Sequence, residues 1–170
     1  MRPTAVLFDR DGTLIKDVPY NGNPARVEPF PLAGRALGHL RAHGVRTGVV
    51  TNQSGIAREL ISRSQVEQVN ARVDEMLGPF DTWQMCPHGP EDGCACRKPA
   101  PGMILAACAR LGVRPADAVV IGDIESDVLA ARNAGARSVL VPTPVTRADE
   151  VRRAPVIAPD LMTAVKWVLS

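Results

Sequence analysis

Short apolar runs alternate along this chain with longer stretches in which apolar residues recur every three or four positions. Ala5 to Phe8, Arg46 to Thr51, about Thr82 to Cys86, Ala118 to Ile121 and Ser138 to Val141 have the length and apolar content of buried strands. Between them lie helical patterns. Gly34 to His43 sets Leu37 and Leu40 on one face and stops at Gly44. Ser64 and Glu67 have the spacing of a capping box, opening a helix with Val66, Val69, Val73, Met76 and Leu77 apolar and ending at Gly78-Pro79. Further helices are predicted over Gly102 to Leu111, Ser126 to Ala134 and Leu161 to Leu169, the first two closed by Gly112 and Gly135. Pro142 to Pro159, with four prolines, reads as a surface connection.

Strands alternating with crossover helices predict a three-layer α/β domain around a mostly parallel sheet, wound right-handedly. Composition agrees: 45% hydrophobic and 22% charged residues are ordinary for a folded chain, and 170 residues suit a single domain over 1–170. The net charge of +2 is scattered, without the basic stripe that tracks nucleic acid. The apolar stretch near the N-terminus is too short for a signal peptide core or a membrane span, so a cytoplasmic protein with no membrane partner is expected. No G-x-x-x-x-G-K-[ST] loop occurs.

In such sheets ligands bind beyond the carboxyl ends of the strands, where the strand order reverses. Four unusual segments fall there. Asp9-Arg10-Asp11-Gly12-Thr13 follows the first strand, and one of its paired carboxylates could attack an electrophile while the other handles a proton. Alone, the string fits a solvated turn equally well. Thr51-Asn52-Gln53-Ser54-Gly55 offers hydroxyl, amide and backbone N–H groups to an anion, or is a polar loop. Arg97-Lys98-Pro99 precedes a helix N-terminus, where a lysine suits phosphate as a compact point charge. Gly122-Asp123-Ile124-Glu125-Ser126-Asp127 carries hard oxygen ligands fit for magnesium, or an acidic first helical turn. Four bland explanations at one sheet edge are less economical than one site.

A fifth cluster stands apart. Cys86, His88, Cys94 and Cys96 form a C-x-H-x5-C-x-C pattern that suits tetrahedral zinc, and four protein ligands leave no open position, so the ion is expected to be structural. A redox pair or unpaired loop thiols are the alternatives. Cys108, alone on an apolar helix face, reads as core, and His39 and His43 receive no role.

FDRDGT, VVTNQSG, CRKPAPGM and VIGDIESD, in that order between about residues 5 and 142, resemble the four motifs of the haloacid dehalogenase superfamily. The resemblance implies a magnesium-dependent phosphatase working through an aspartyl-phosphate. Asp9 would be the nucleophile, and Asp11 the acid that protonates the leaving group and then the base that activates water. Thr51, Asn52 and Lys98 would bind the phosphoryl group. Magnesium would be held by Asp9, the Asp11 backbone carbonyl and Asp123, with Asp127 supporting that site. Only 37 residues, Leu14 to Val50, separate the first two motifs, so no large cap domain fits and a capless fold is expected.

With the cysteine loop, the set resembles the capless branches that act on heptose 1,7-bisphosphate and on histidinol phosphate. RKPAPGM and SGIAR look like the heptose branch. The short His88 to Cys94 spacing looks like the histidinol branch, and Ile124 stands where heptose enzymes usually place a lysine. Arg97 and Arg58 are the cations expected to reach a second anionic group. A small phosphorylated metabolite is the expected partner and a monomer the expected state. A zinc-stabilised, non-catalytic interaction domain is the competing reading, which intact motifs disfavour.

Overall fold

The computed structural model describes residues 3–170. Five strands form one all-parallel sheet: β1 (Ala5–Phe8), β2 (Arg46–Asn52), β3 (Thr82–Cys86), β4 (Ala118–Gly122) and β5 (Arg137–Leu140), in the order β3-β2-β1-β4-β5. β1 is central, with Ala5 in register with Arg46 on one side and Ala118 on the other. All four of its residues are buried, as a strand covered on both faces requires.

Among the described residues six α-helices supply the cover: α1 (Ala33–Ala42), α2 (Arg63–Leu77), α3 (Gly102–Leu111), α4 (Glu125–Ala134), α5 (Ala148–Arg153) and α6 (Leu161–Leu169). The strand pleat sorts the core into two. Val6, Phe8, Val49 and Ile121 face α1, α2 and α6, while Ala5, Leu7, Val50 and Val120 face α3 and α4. Cys108 lies in this second cluster, 1% exposed, as expected of a core residue. His39 and His43 are exposed at the end of α1.

Two local expectations need correction. The capping box of α2 is Ser62 with Gln65, because Ser62 has the extended backbone that lets its Oγ accept the Gln65 N–H at 3.1 Å while Gln65 Oε1 accepts the Ser62 N–H at 2.8 Å. Ser64 already lies inside the helix. The stretch Pro142 to Pro159 is more than a connection, since it contains α5. Arg153 of α5 pairs with Glu125 in the first turn of α4 at 2.5 Å, and the Thr146 hydroxyl donates to the Asp123 carbonyl at 2.7 Å. Prolines flank α5 without entering it.

No cap domain lies between β1 and α1 among the described residues. The chain there folds back on itself through an Ile15–Pro29 bridge and a short 3-10 turn at Pro24–Arg26.

Candidate active site

The strand order reverses at β1, so the crevice between the carboxyl ends of β1 and β4 is where this fold presents ligands. Asp9 follows β1 there, and its N–H donates to the Ile121 carbonyl of β4 at 2.9 Å. Asp123 follows β4, and Asp127 sits in the first turn of α4. One carboxylate oxygen from each of these three residues lies within 4.8 Å of the others, and all three residues are buried. The turn can be this tight because Gly12 has φ 86° and a Cβ there would sit 2.4 Å from Asp123 Oδ2. Gly122 likewise has no room for a side chain, since a Cβ would meet the Asp127 carboxylate at 2.3 Å.

Lys98 enters this cluster from the loop before α3 and is 4% exposed. Its Nζ donates to Asp9 Oδ1 at 2.6 Å, Asp127 Oδ1 at 2.6 Å and the Val50 carbonyl at 2.9 Å, which uses all three ammonium hydrogens. Burial opposes its charge, but Asp127 and Asp9 outweigh burial and raise its pKa. Asp127, expected to support a metal, thus grips the lysine directly. Burial also raises the Asp9 pKa well above the usual carboxylate range, with Lys98 opposing and the carboxylates of Asp127, Asp123 and Asp11 adding to the rise. Asp123 is pushed up to about 7 by burial and by Asp127.

One ammonium among three buried carboxylates leaves excess negative charge. A hard divalent cation would offset it, and the donor set of carboxylate oxygens at the mouth of a polar cleft is the kind magnesium takes. The residues present therefore fit magnesium.

Asp11 lies further out, half-buried. Its carboxylate accepts from Arg10 Nη2 at 2.9 Å, from Arg10 Nε at 3.2 Å, and from Gln53 Nε2 at 2.9 Å. Gln53 also donates to Thr51 Oγ1 at 2.9 Å, so one amide joins the first motif to the second. No role was expected of Arg10, and Gln53 was expected only to help hold an anion with its segment. Their position inside the motifs was the available signal.

Thr51 is buried at the end of β2. Asn52, expected to bind phosphate, lines the cleft and holds the main chain of Lys98. Its carboxamide accepts from the Lys98 N–H at 3.1 Å and donates to the Lys98 carbonyl at 3.2 Å. The cleft above these groups has a volume of about 370 Å³ and is walled by Tyr20, Gly55, Ile124 and Val145. A larger groove of about 850 Å³ beneath α4, α5 and α6 contains none of the motif residues except Glu125.

Arg97 and Arg58 are not brought into the cleft. The Arg97 guanidinium donates to the His88 carbonyl at 3.3 Å, and Arg58 lies 5.9 Å over the Tyr20 ring on the side wall. The cysteine loop does assemble. Cys86 Sγ is 3.1 Å from Cys96 Sγ and 3.7 Å from Cys94 Sγ, and His88 Nδ1 is 3.3 Å from Cys96 Sγ. All four ligand atoms lie within 4.8 Å of one another, and no disulfide joins them. Thiolates about 2.3 Å from a tetrahedral zinc stand roughly 3.8 Å apart, so the set fits zinc after a small expansion. Burial and the hydrogen bond with Cys96 push the Cys86 thiol up to about 12. Cys94 is lowered to about 6, because the N–H groups of Arg97 and Cys96 overcome burial.

Comparison with known proteins places this geometry in context. A family model described as haloacid dehalogenase-like hydrolase matches residues 6–88, and a second HAD-hydrolase-like model matches residues 95–165. A D-glycero-beta-D-manno-heptose-1,7-bisphosphate 7-phosphatase of Pseudomonas aeruginosa is 36% identical over 148 residues, covering 84% of this chain and 83% of the relative. One from Haemophilus ducreyi is 35% identical over 184 residues, covering 99% of this chain and all of the relative. The crystal structure of the D,D-heptose 1,7-bisphosphate phosphatase of B. bronchiseptica, complexed with magnesium and phosphate, superposes with a TM-score of 0.85 at 29% identity, covering 98% of each chain. With matches of this extent to both sequence and fold, the chain belongs to the haloacid dehalogenase-like hydrolases.

Proposed function

We propose that this protein is a phosphomonoesterase that removes the 7-phosphate of a D-glycero-D-manno-heptose 1,7-bisphosphate. The observation that carries the reaction class is the Lys98 ammonium, 2.6 Å from Asp9 inside a cluster of three carboxylates at the switch point of the sheet. The substrate rests on the heptose bisphosphate phosphatases that this chain resembles over most of its length.

Asp9 attacks phosphorus, the bond to the sugar oxygen breaks, and Asp11 gives its proton to that departing oxygen. Asp11, now a carboxylate, takes a proton from water as the water oxygen attacks the aspartyl-phosphate. Inorganic phosphate leaves and Asp9 is restored. Lys98 favours the charged, attacking form of Asp9 against the burial that opposes it and neutralises phosphoryl charge, with Thr51 as a further donor. Magnesium, held by Asp9, Asp123 and the Asp11 carbonyl, would neutralise the remaining charge on the phosphoryl oxygens.

Cys86, His88, Cys94 and Cys96 hold a structural zinc. Residues 1–170 act as one domain and as a monomer, and the unpaired thiols suit a reducing cytoplasm.

A second reading has an observation of its own. The cations lining the cleft are Arg10 and Lys98, both already bound to carboxylates, while Asp17 stands at its rim. That lining suits a monophosphate with a cationic remote end, such as histidinol phosphate. Phosphate release from both compounds by the purified protein decides between them. One phosphate released from carbon 7 of the bisphosphate, at a kcat/KM well above that for histidinol phosphate, is expected. The opposite ranking reverses the substrate assignment, and inactivity on every phosphate ester tested overturns the reaction class.

A further inference from the structure

Arg10 is 1% exposed and, among the described residues, is the largest of the fully buried side chains. An arginine in such a place loses its hydration and is kept only where its donors are used. Here they are used in one direction. Nη2 and Nε clasp the Asp11 carboxylate, Nη1 donates to Asn70 Oδ1 on α2 at 2.6 Å, and none of its hydrogen bonds reaches Asp9, Asp123 or Asp127. Adjacent residues of an extended strand would point to opposite sides. Arg10 and Asp11 converge because the chain has left β1 and turned, with the Arg10 carbonyl accepting from the Leu14 and Ile15 N–H groups.

The bonds on Asp11 are unequal. Oδ2 accepts from Arg10 Nη2 at 2.9 Å, from Gln53 Nε2 at 2.9 Å and from Arg10 Nε at 3.2 Å, whereas Oδ1 accepts only the long Nε contact at 3.2 Å. The carboxylate is therefore pinned mainly by Oδ2, and Oδ1, with one long contact, keeps a lone pair for a transferable proton.

From this geometry we infer that Arg10, anchored to α2 through Asn70, is a positioning residue that fixes the Asp11 carboxyl and presents Oδ1 as the atom that delivers and takes the proton. The inference rests on the phosphatase reading and adds to it a link between α2 and the proton-transfer step. Arg10 acts through Asp11, its side-chain hydrogen bonds going to that carboxylate and to Asn70. Its planar fork matters more than its charge, so lysine is a poor substitute.

The test uses leaving groups. Heptose 1,7-bisphosphate expels an alkoxide that needs a proton, whereas p-nitrophenyl phosphate expels a stable phenolate that does not. Asp11→Asn serves as the reference: on the sugar phosphate it should lose the roughly 10² to 10⁴-fold that general acid catalysis supplies, and far less in kcat/KM on the aryl ester. Arg10→Met and Arg10→Lys should show the same selectivity at smaller size, with kcat/KM down roughly 30-fold on the sugar phosphate and less than about 3-fold on the aryl ester. Asn70→Leu, which leaves Arg10 in place and removes its anchor, should show a weaker form of the same pattern. It decides the matter if the Arg10 variants do not fold. Equal losses on both substrates in the Arg10 and Asn70 variants, with Asp11→Asn selective, would mean that Arg10 is merely structural and overturn the inference alone. Equal losses in Asp11→Asn as well would overturn the acid role of Asp11 and the inference with it.

Discussion

The carboxamide of Asn52 clasps the main chain of Lys98 from both sides, accepting its N–H and donating to its carbonyl across 46 residues of sequence. The lysine's ammonium is thereby held by its own three bonds and its backbone by two more. Asn52→Ala should lower stability by about 1–2 kcal/mol, the net value of two hydrogen bonds. Because the slackened lysine acts beside the reacting atoms, kcat should fall roughly 10-fold. Urea denaturation and steady-state kinetics check both, and unchanged kcat would show that Lys98 is placed without Asn52.

Asp9→Asn should abolish turnover, because an amide cannot serve as the nucleophile. The fold should survive. Lys98 keeps Asp127 and the Val50 carbonyl, and one of three mutually repelling carboxylates is gone, so the unfolding free energy should stay within about 2 kcal/mol of wild type. Wild-type turnover in this variant would contradict the proposed chemistry.

Magnesium should be required for activity, with EDTA removing activity and added magnesium restoring it. Binding should also show without any substrate, since a cation at 100 times its Kd stabilises the folded state by about 2.7 kcal/mol. Asp123→Ala should abolish that thermal shift. A shift of wild-type size in the variant would place the cation elsewhere.

Metal analysis of the purified protein should find about one zinc per chain, and Cys94→Ser should lose it. The loss should also reach Lys98 and α3. Cys94 Sγ accepts from the Arg97 N–H at 3.4 Å, and the Ala95 carbonyl accepts from the Gly102 N–H that opens α3 at 2.9 Å. Unchanged zinc content in the variant would refute the ligand assignment.

The direction of Arg97 bears on specificity. With its guanidinium bonded to the cysteine loop, Arg97→Ala should change the ratio of kcat/KM for the bisphosphate over a monophosphate of similar size by less than about 3-fold. Ile124 stands on the cleft wall, 38% exposed, and Ile124→Lys should raise that ratio by roughly 10-fold through a new charged contact. A large drop in the ratio for Arg97→Ala would show that the arginine swings into the cleft when substrate binds.

The apolar rhythm of the chain determined the five strands, five of the six helices and the sheet edge that carries Asp9, Thr51, Lys98 and Asp123, because buried strands and amphipathic helices are written in local period and punctuation. Cys86, His88, Cys94 and Cys96 were legible for a similar reason: their chemistry is softness and spacing within eleven residues. Only the tertiary structure decided what each polar group does with its hydrogen bonds. That Asn52 also grips the backbone of Lys98 showed only once the two were placed together. That Asp127 grips an ammonium as well as standing among the carboxylates showed only when β4 and the loop before α3 were brought together. Arg10 needed Asn70, 60 residues away on another element, before its burial made sense. Side chains of this kind have several partners of similar energy within reach, and the choice among them is made by long-range packing, which leaves no periodic trace in the sequence.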